Sequence, residues 1–407
     1  MRRVAYGHAG LASLMDGDAA AGVVLAKPPA LARLARRGAQ AARLLALVLL
    51  LAWTAGWVWT DATIWTQMLW WGGVPVLILA GVVLGLGAIA GRVAIPAEEH
   101  ASSTKLQRWS RRVPILLLAL ACAGEGWHQF NGRALLASRQ PNPADALLIV
   151  HWNYSGGAMK NPRAMADALV STGQPDVILI SMQNYHDQWD AIRKAMGEGP
   201  AVKIEKIKVG LPTVFSRVPI KSVRQFVVPM DEAVGAQSPG WFDRGINALI
   251  RASGIYPRDA ENIAPGCITA IELATTPRLG RPTTIYFIDY PSSPLLHRAR
   301  VAELVRRKIN QITMPPPGES AVPMPDVVIG DFNTPRSSAS LLRLLPGFWP
   351  ASDHAGLGLL KTFPRPRCLL HIDNTLVSPT WHADEYGIID PGISEHKAQR
   401  VRLWPKN

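Results

Sequence analysis

Residues 325–333 read PDVVIGDFN, and on this stretch the fold turns. A run as short as Val327-Val328-Ile329, rich in β-branched residues and opened by Pro325, favours a strand over a helix. Gly330 turns the chain, and Asp331 and Asn333 follow, two positions apart. Side chains two apart on an extended chain leave it on the same side, so a carboxylate and an amide are aimed at one point. Such oxygens suit Mg²⁺ or Mn²⁺, and the pair could equally face a phosphoryl group. Taken alone, the tetrapeptide reads as readily as a plain turn.

Similar β-type runs lie on both sides of it. Residues 146–151 (ALLIVH), 176–181 (DVILIS), 202–209, 223–229, 267–273, 283–290 (TTIYFIDY) and 368–377 predict strands. Residues 161–171 predict a helix with Asn161 as cap and Pro162 at its first position, and 295–311 and 338–345 predict two more. Many strands with a few interposed helices imply an α+β domain around a mixed sheet.

Ahead of this domain the composition changes. The chain has 407 residues, 43 Lys+Arg against 30 Asp+Glu, a net charge of +13, and 48% hydrophobic residues. That apolar content, with three cysteines and no Gly or Pro period, excludes a disordered chain, a disulfide scaffold and a collagen-like repeat. Residues 1–135 hold 13 of the basic and 6 of the acidic residues, a net of +7, leaving +6 for the remaining two thirds. Residues 44–60 and 68–91 carry no charge, and a third apolar run extends over 113–130, broken by Glu125. A membrane helix needs about 20 mostly apolar residues, so three transmembrane helices are expected, at about 42–60, 68–91 and 113–130. A buried core helix is the bland alternative for each. Trp53, Trp57, Trp59, Trp65, Trp70 and Trp71 gather around the first two as interfacial anchors do.

Loop charge gives the orientation. Residues 1–43 hold seven Lys/Arg, residues 61–67 none and residues 92–112 five. The positive-inside rule makes the N-terminal segment 1–43 cytoplasmic and carries residues 140–407 outside a cell (inner or plasma) membrane. The first run lies deep in the chain and lacks a small-residue cleavage site, so it reads as an anchor rather than a removed signal.

Over roughly residues 145–404 the chain resembles the endonuclease/exonuclease/phosphatase superfamily, the DNase-I-like fold. The landmarks come in family order: His151-Trp152-Asn153 ending a strand, the strand at 175–181, Ser216-Arg217-Val218-Pro219-Ile220, the strand 283–290, and Gly330-Asp331-Phe332-Asn333. Thr362-Phe363-Pro364, Ile372-Asp373 and Ser394-Glu395-His396 complete the set. The resemblance implies a four-layer α/β sandwich with its site at one edge. It assigns Asn153 and Glu395 to metal binding, with one or two Mg²⁺ or Mn²⁺ ions. Asp331 and Asn333 would position the nucleophile and the phosphoryl group, His396 would serve acid/base or transition-state work, and Asp373 would orient a histidine or help hold the cation. Ser352-Asp353-His354 spells the family's last triplet but precedes Thr362 and Asp373, out of order.

Two departures stand out. Where the family has a metal-binding Glu, this chain has Met182-Gln183-Asn184, and where it has a histidine before the Gly-Asp-x-Asn turn, this chain has Asp289. Glu395 replaces the usual Asp. One positioned acid/base group is worth about 10²–10⁴ in rate, so two function classes follow from the resemblance. One is a membrane-anchored, extracytoplasmic, divalent-metal-dependent phosphoesterase, its substrate possibly lipid-linked and its partner the bilayer. The other is a domain that binds or scaffolds without hydrolysis. Nuclease action is a weaker third option, because +6 spread over 272 residues forms no dense basic stripe. No G-x-S-x-G elbow supports a serine hydrolase. Cys122, Cys267 and Cys368 lack metal-site spacing; Cys267 and Cys368 could pair or remain free.

Overall fold

Strands whose inward residues recur every second position can line both faces of a core, and here they build two sheets packed face to face. The structure, a computed structural model, describes residues 29–94, 105–137, 146–154, 161–171, 173–181, 187–197, 201–202, 212–230, 232–233, 265–275, 279–293 and 296–406. The first sheet joins β1 (Leu147–Asn153), β2 (Val177–Ser181), β3 (Ala201–Val202), β4 (Thr213–Ser216), β11 (Trp381–Ile389) and β12 (Ala398–Pro405) in the order β11-β12-β1-β2-β4-β3. The second joins β5 (Ile220–Val228), β6 (Gly266–Leu273), β7 (Thr283–Asp289), β8 (Val327–Asp331), β9 (Trp349–Pro350) and β10 (Asp373–Val377) in the order β5-β6-β7-β8-β10-β9. Neighbours β1/β2 and β7/β8 run parallel.

Between the sheets, Ile149, Leu179 and Val401 meet Phe287, Ile329 and Val377 in one apolar cluster. Alternate residues face outward. Trp152 and Ile178 pack under α5 (Pro162–Val170) and α6 (Asp187–Ala195), while Tyr286 and Val328 pack under α7 (Arg298–Thr313). The domain is α+β, two sheets with helices on both outer faces. Asn161 caps α5 as expected, its side chain accepting from Ala164 N at 3.0 Å.

The strand expected over 368–377 begins only at Asp373, because Phe363 bridges Leu370 and leaves 363–370 as a folded loop. Strands β4, β9 and β11 and helices α6 and α9 (Ala351–Ala355) were not legible in the sequence. β11 is an edge strand with a largely half-exposed, polar pattern, so it lacks an apolar signature. Residues 203–209, 182–184, 294 and 295, where expectations also fell, lie outside the described residues. Cys267 and Cys368 are free thiols.

Four helices precede the sandwich: α1 (Pro29–Trp59), α2 (Ile64–Trp71), α3 (Gly73–Ala94) and α4 (Lys105–Gln129). Two of the three expected spans, Ala30–Trp59 and Gly73–Arg92, are long and apolar enough to cross a membrane. The apolar part of α4 is bounded by Arg112 and Glu125 and is shorter. The second run divides at Gly72. Met68–Trp71 belong to α2, whose N-terminus is closed by a Thr63/Thr66 capping box, and α3 starts afresh at Gly73. Leu44, Leu51, Ile78, Val82, Leu86 and Leu116 point outward from the helices, an exposed apolar belt that soluble monomers rarely carry.

One end of the helices is built into the domain. The first turn of a helix leaves backbone N–H groups without partners, which a cap normally satisfies. Neither His297 nor Ser338, at the caps of α7 and α8 (Ala339–Leu344), supplies a side-chain bond. The segment 60–67, between α1 and α3, supplies them instead. Gln67 Oε1 accepts from Arg298 N at 2.9 Å, Thr60 Oγ1 from Ala339 N at 2.9 Å, and Asp61 Oδ1 from Ser340 N at 3.0 Å. Gln67 and Asp61 are fully buried. Asp61→Ala leaves buried donors unpaired and should cost about 1–3 kcal/mol, read as a lowered thermal midpoint of the full chain in detergent, while Asp61→Asn should lose less.

Candidate active site

The two-residue period that builds the core also delivers the polar site. β1 turns Leu147 and Ile149 into the core and then, at its end, His151 and Asn153. β7 does the same with Ile285, Phe287 and Asp289, and β8 with Val327, Ile329 and Asp331. β10 begins on Asp373. In register, Asp289 lies opposite Asp331 and Asp331 opposite Asp373, so one rung across three adjacent strands carries three carboxylates. Like charges in directly opposed positions repel, and the first sheet answers with an amide and an imidazole.

Asn153 Nδ2 donates to Asp331 Oδ2 at 2.7 Å, joining the two sheets. His396, on the turn before β12, stands 2.9 Å from Asp373 Oδ2 through Nδ1, and its Nε2 lies 3.9 Å from Asp331 Oδ2. The Phe363 ring covers the imidazole at 4.7 Å. The backbone of His396 is fixed from both sides. Trp152 Nε1 donates to its carbonyl at 3.0 Å, and its N–H donates to Ser394 Oγ, which in turn donates to Asn153 O. Asp331, Asp373 and His396 are all buried, with ligand atoms within 4.8 Å of one another.

The turn itself explains its sequence. A Cβ at Gly330 would collide with the carbonyl oxygen of Ile288 on β7, so only glycine permits that approach. Asn333 adopts a φ of 44°, which Asn tolerates better than most residues. Its N–H donates to Asp331 Oδ1 at 2.8 Å and its side-chain Nδ2 to Tyr290 O at 2.8 Å. Asn333 thus holds the turn and aims Asp331.

Burial and like charge leave the carboxylates unequal. Burial, then Asp373, pushes Asp331 up from 3.8 to about 7. Burial, then Asp331 and Asp373, holds Asp289 well above the ordinary range. Burial also acts to raise Asp373, but His396 overcomes it and holds Asp373 low. Burial alone would lower His396; Asp373 outweighs it and carries the imidazole up to about 9.

Of the residues the sequence singled out, Asn153, Asp289, Asp331, Asp373 and His396 converge, Asn333 braces the turn, and Glu395 is exposed, its side chain outside the cluster. The out-of-order Asp353 and His354 lie on α9, where Asp353 pairs with Arg133 at 3.6 Å. Four contributors carried no expected site role: His151, Thr362 and Ser394, which stand in the quoted landmarks, and Gln399. His151 Nδ1 lies 3.9 Å from Asp373 Oδ1 and 3.0 Å from Gln399 Nε2, and burial lowers it to about 4, so it sits there neutral. Thr362 Oγ1 accepts from Asp373 N at 3.3 Å. His151 was findable: it stands two residues before Asn153 on the same strand face.

The donors fit a divalent cation. Asn153 Oδ1 and Asp373 Oδ1 are buried without hydrogen-bond partners among the described residues. Hard oxygen donors of this kind suit Mg²⁺ or Mn²⁺. The pH dependence follows from the shifts. A carboxyl raised from 3.8 to about 7 withdraws stability as pH climbs between those values, and an imidazole raised from 6.5 to about 9 supports stability fully below 6.5 and loses it through 9. Below about 6.5 the buried neutral His151 and His371 work the other way, so it is as pH rises from 7 to 9 that the cation-free protein should melt at lower temperature. Added Mn²⁺ should raise the midpoint most at the alkaline end, and Asp331→Asn should shrink both effects, as differential scanning fluorimetry would show.

No family model and no curated protein matches the chain. Among solved structures it is similar to an endonuclease/exonuclease/phosphatase family protein from Bacteroides thetaiotaomicron, at 16% identity, covering 66% of this chain and 100% of that one with a TM-score of 0.46. It is similar to a mannosyl-6-phosphatase of the same organism at 16% identity, covering 63% of this chain and 99% of the other, TM-score 0.45. A third is D. rerio TDP2 complexed with single-strand DNA product, at 13% identity, 63% and 98% coverage and TM-score 0.40.

Proposed function

We propose that the chain is a membrane-anchored phosphoesterase, a phosphodiesterase or phosphatase, dependent on a divalent metal. One observation carries the proposal: Asn153, Asp331, Asp373 and His396 reach a single buried point from four separate segments of two sheets. Hydrolysis of a phosphoester needs a base for water, a donor at the oxygens that gain charge, and neutralisation of the phosphoryl group. Asp331, near 7, is poised to take the proton of an attacking water. Asn153 and Asn333 fix its two oxygens, one each. His396, held as an imidazolium by Asp373, presents Nε2 on the Asp331 side to donate to a phosphoryl or leaving oxygen. A divalent cation held by Asp373 Oδ1 and Asn153 Oδ1, the oxygens without hydrogen-bond partners among the described residues, would neutralise charge on the non-bridging oxygens.

The helices give the location. The outward apolar belt of α1 and α3 supports crossing of a bilayer, and the end of α4 that carries Gln129 meets the domain beside the end of α1 and the start of α3. Arg43, Arg92 and Arg111 gather around one pocket at the other end. By the positive-inside rule that end faces the cytoplasm, which requires α4 to cross as the third span and puts the domain outside. Phosphoesters of lipid-linked or surface molecules are then within reach.

A domain that binds phosphoesters without turnover is the alternative, favoured by Asp289 in place of a histidine and by the exposure of Glu395. Purified full chain in detergent should hydrolyse bis-p-nitrophenyl phosphate with Mg²⁺ or Mn²⁺ and stop when the metal is chelated. Asp331→Ala and His396→Gln should each lower turnover by about 10²–10⁴. Metal-stimulated turnover no greater than that of Asp331→Ala would leave only the binding domain. Glu319→Cys, on an exposed loop, should react with an impermeant thiol reagent in intact cells above the wild-type background; protection would reverse the orientation.

A further inference from the structure

A cavity of about 360 Å³ lies where the helices meet the domain. Trp71, Val74 and Ile78 line it from α2 and α3, and Leu360 and Leu369 line it from the domain. Ile78 and Leu369 are 63% and 64% exposed, so the apolar wall opens outward at the level of the first turns of α3, next to the belt that would face lipid. An apolar hollow at that depth is open to the chains of membrane lipids.

Its polar wall is cationic. Arg336, 5% exposed, gives Nη2 to the carbonyl of His128 and leaves Nη1 buried with no hydrogen-bond partner among the described residues. Among the same residues Lys361 makes no ion pair and the buried His371 Nδ1 has no hydrogen-bond partner. Both line the cavity. The acid on the wall, Glu125, already accepts from Trp53 Nε1 at 3.3 Å and Gln129 Nε2 at 2.5 Å. Asp353, the acid nearest in charge to Arg336, pairs with Arg133. Burial pulls both Arg336 and Lys361 below their ordinary values, outweighing the opposing pull of Asp353 on the one and Glu125 on the other. Unpaired cationic donors beside an apolar hollow complement one kind of molecule, an amphiphile whose headgroup is anionic and oxygen-rich.

We propose that this cavity binds one membrane phospholipid with an anionic headgroup, its chain against Val74, Ile78 and Leu369 and its phosphate on Arg336 and Lys361. The site is separate from the hydrolytic centre but shares a segment with it. Pro364, Leu370 and His371 line the cavity, while Phe363 covers His396 and Thr362 meets Asp373. A bound lipid would brace the loop 360–373 that carries both.

The proposal rests on membrane insertion of α1 and α3, and recovery of the full chain in the soluble fraction without detergent would overturn that insertion itself. For detergent-extracted full chain, native mass spectrometry should show one phosphatidylglycerol retained about tenfold more strongly than phosphatidylcholine. Inorganic phosphate should not displace it. Lys361→Ala and Arg336→Gln should erase the preference, and Val74→Trp, which fills the hollow and leaves the charges in place, should remove retention of both lipids while the circular dichroism spectrum is kept. Equal retention of the two lipids would overturn the proposal, as would displacement by phosphate alone or wild-type binding by Val74→Trp. If Arg336→Gln fails to fold, Lys361→Ala and Val74→Trp decide.

Discussion

Burying a carboxylate costs several kcal/mol unless opposite charge and hydrogen bonds compensate it. This chain places two, Asp331 and Asp373, on one rung of adjacent strands beside a third, half-buried Asp289. Much of the surrounding architecture is compensation. His396 is carried to about 9 so that it stays an imidazolium against Asp373. Asn153 crosses from the other sheet to donate to Asp331, and the backbone of Asn333 donates to its second oxygen. Burial and the neighbouring Asp373 carboxylate push Asp331 up to about 7, where a base is most useful.

A second dependence runs through the helices. α7 and α8 follow β7 and β8, the strands that end in Asp289 and Asp331, and both helices take caps from residues 60–67. The segment 60–67 is thus structural to the two-sheet domain. It fixes the first turns of the two helices that pack behind the candidate site, and the same contact encloses the cavity lined by Arg336 and Lys361. N-terminal helices and candidate site form one continuous piece of packing.

Much of the site was legible because its logic is local. A strand, a glycine and two polar residues at a two-residue spacing were enough to select Asp331 and Asn333, and chain order distinguished His396 from the misplaced His354. The role of Asn333 was not legible, since its partner is a carbonyl 43 residues away. Glu395 was expected beside the metal, but the turn that directs His396 inward leaves its neighbour outside. His151 was overlooked although the period-two rule places it beside Asn153.

By itself the sequence determined what alternation, chain order and bulk hydropathy encode: the apolar helices, the α+β domain, and the residue types that form the rung. Those depend on neighbours along the chain. Only the tertiary structure decided which carboxylates share a rung, which imidazole stands charged, and that Gln67 and Asp61 cap helices more than 200 residues away. Each of these is set by distance and burial between segments remote in sequence, and the energy of a buried charge depends on both.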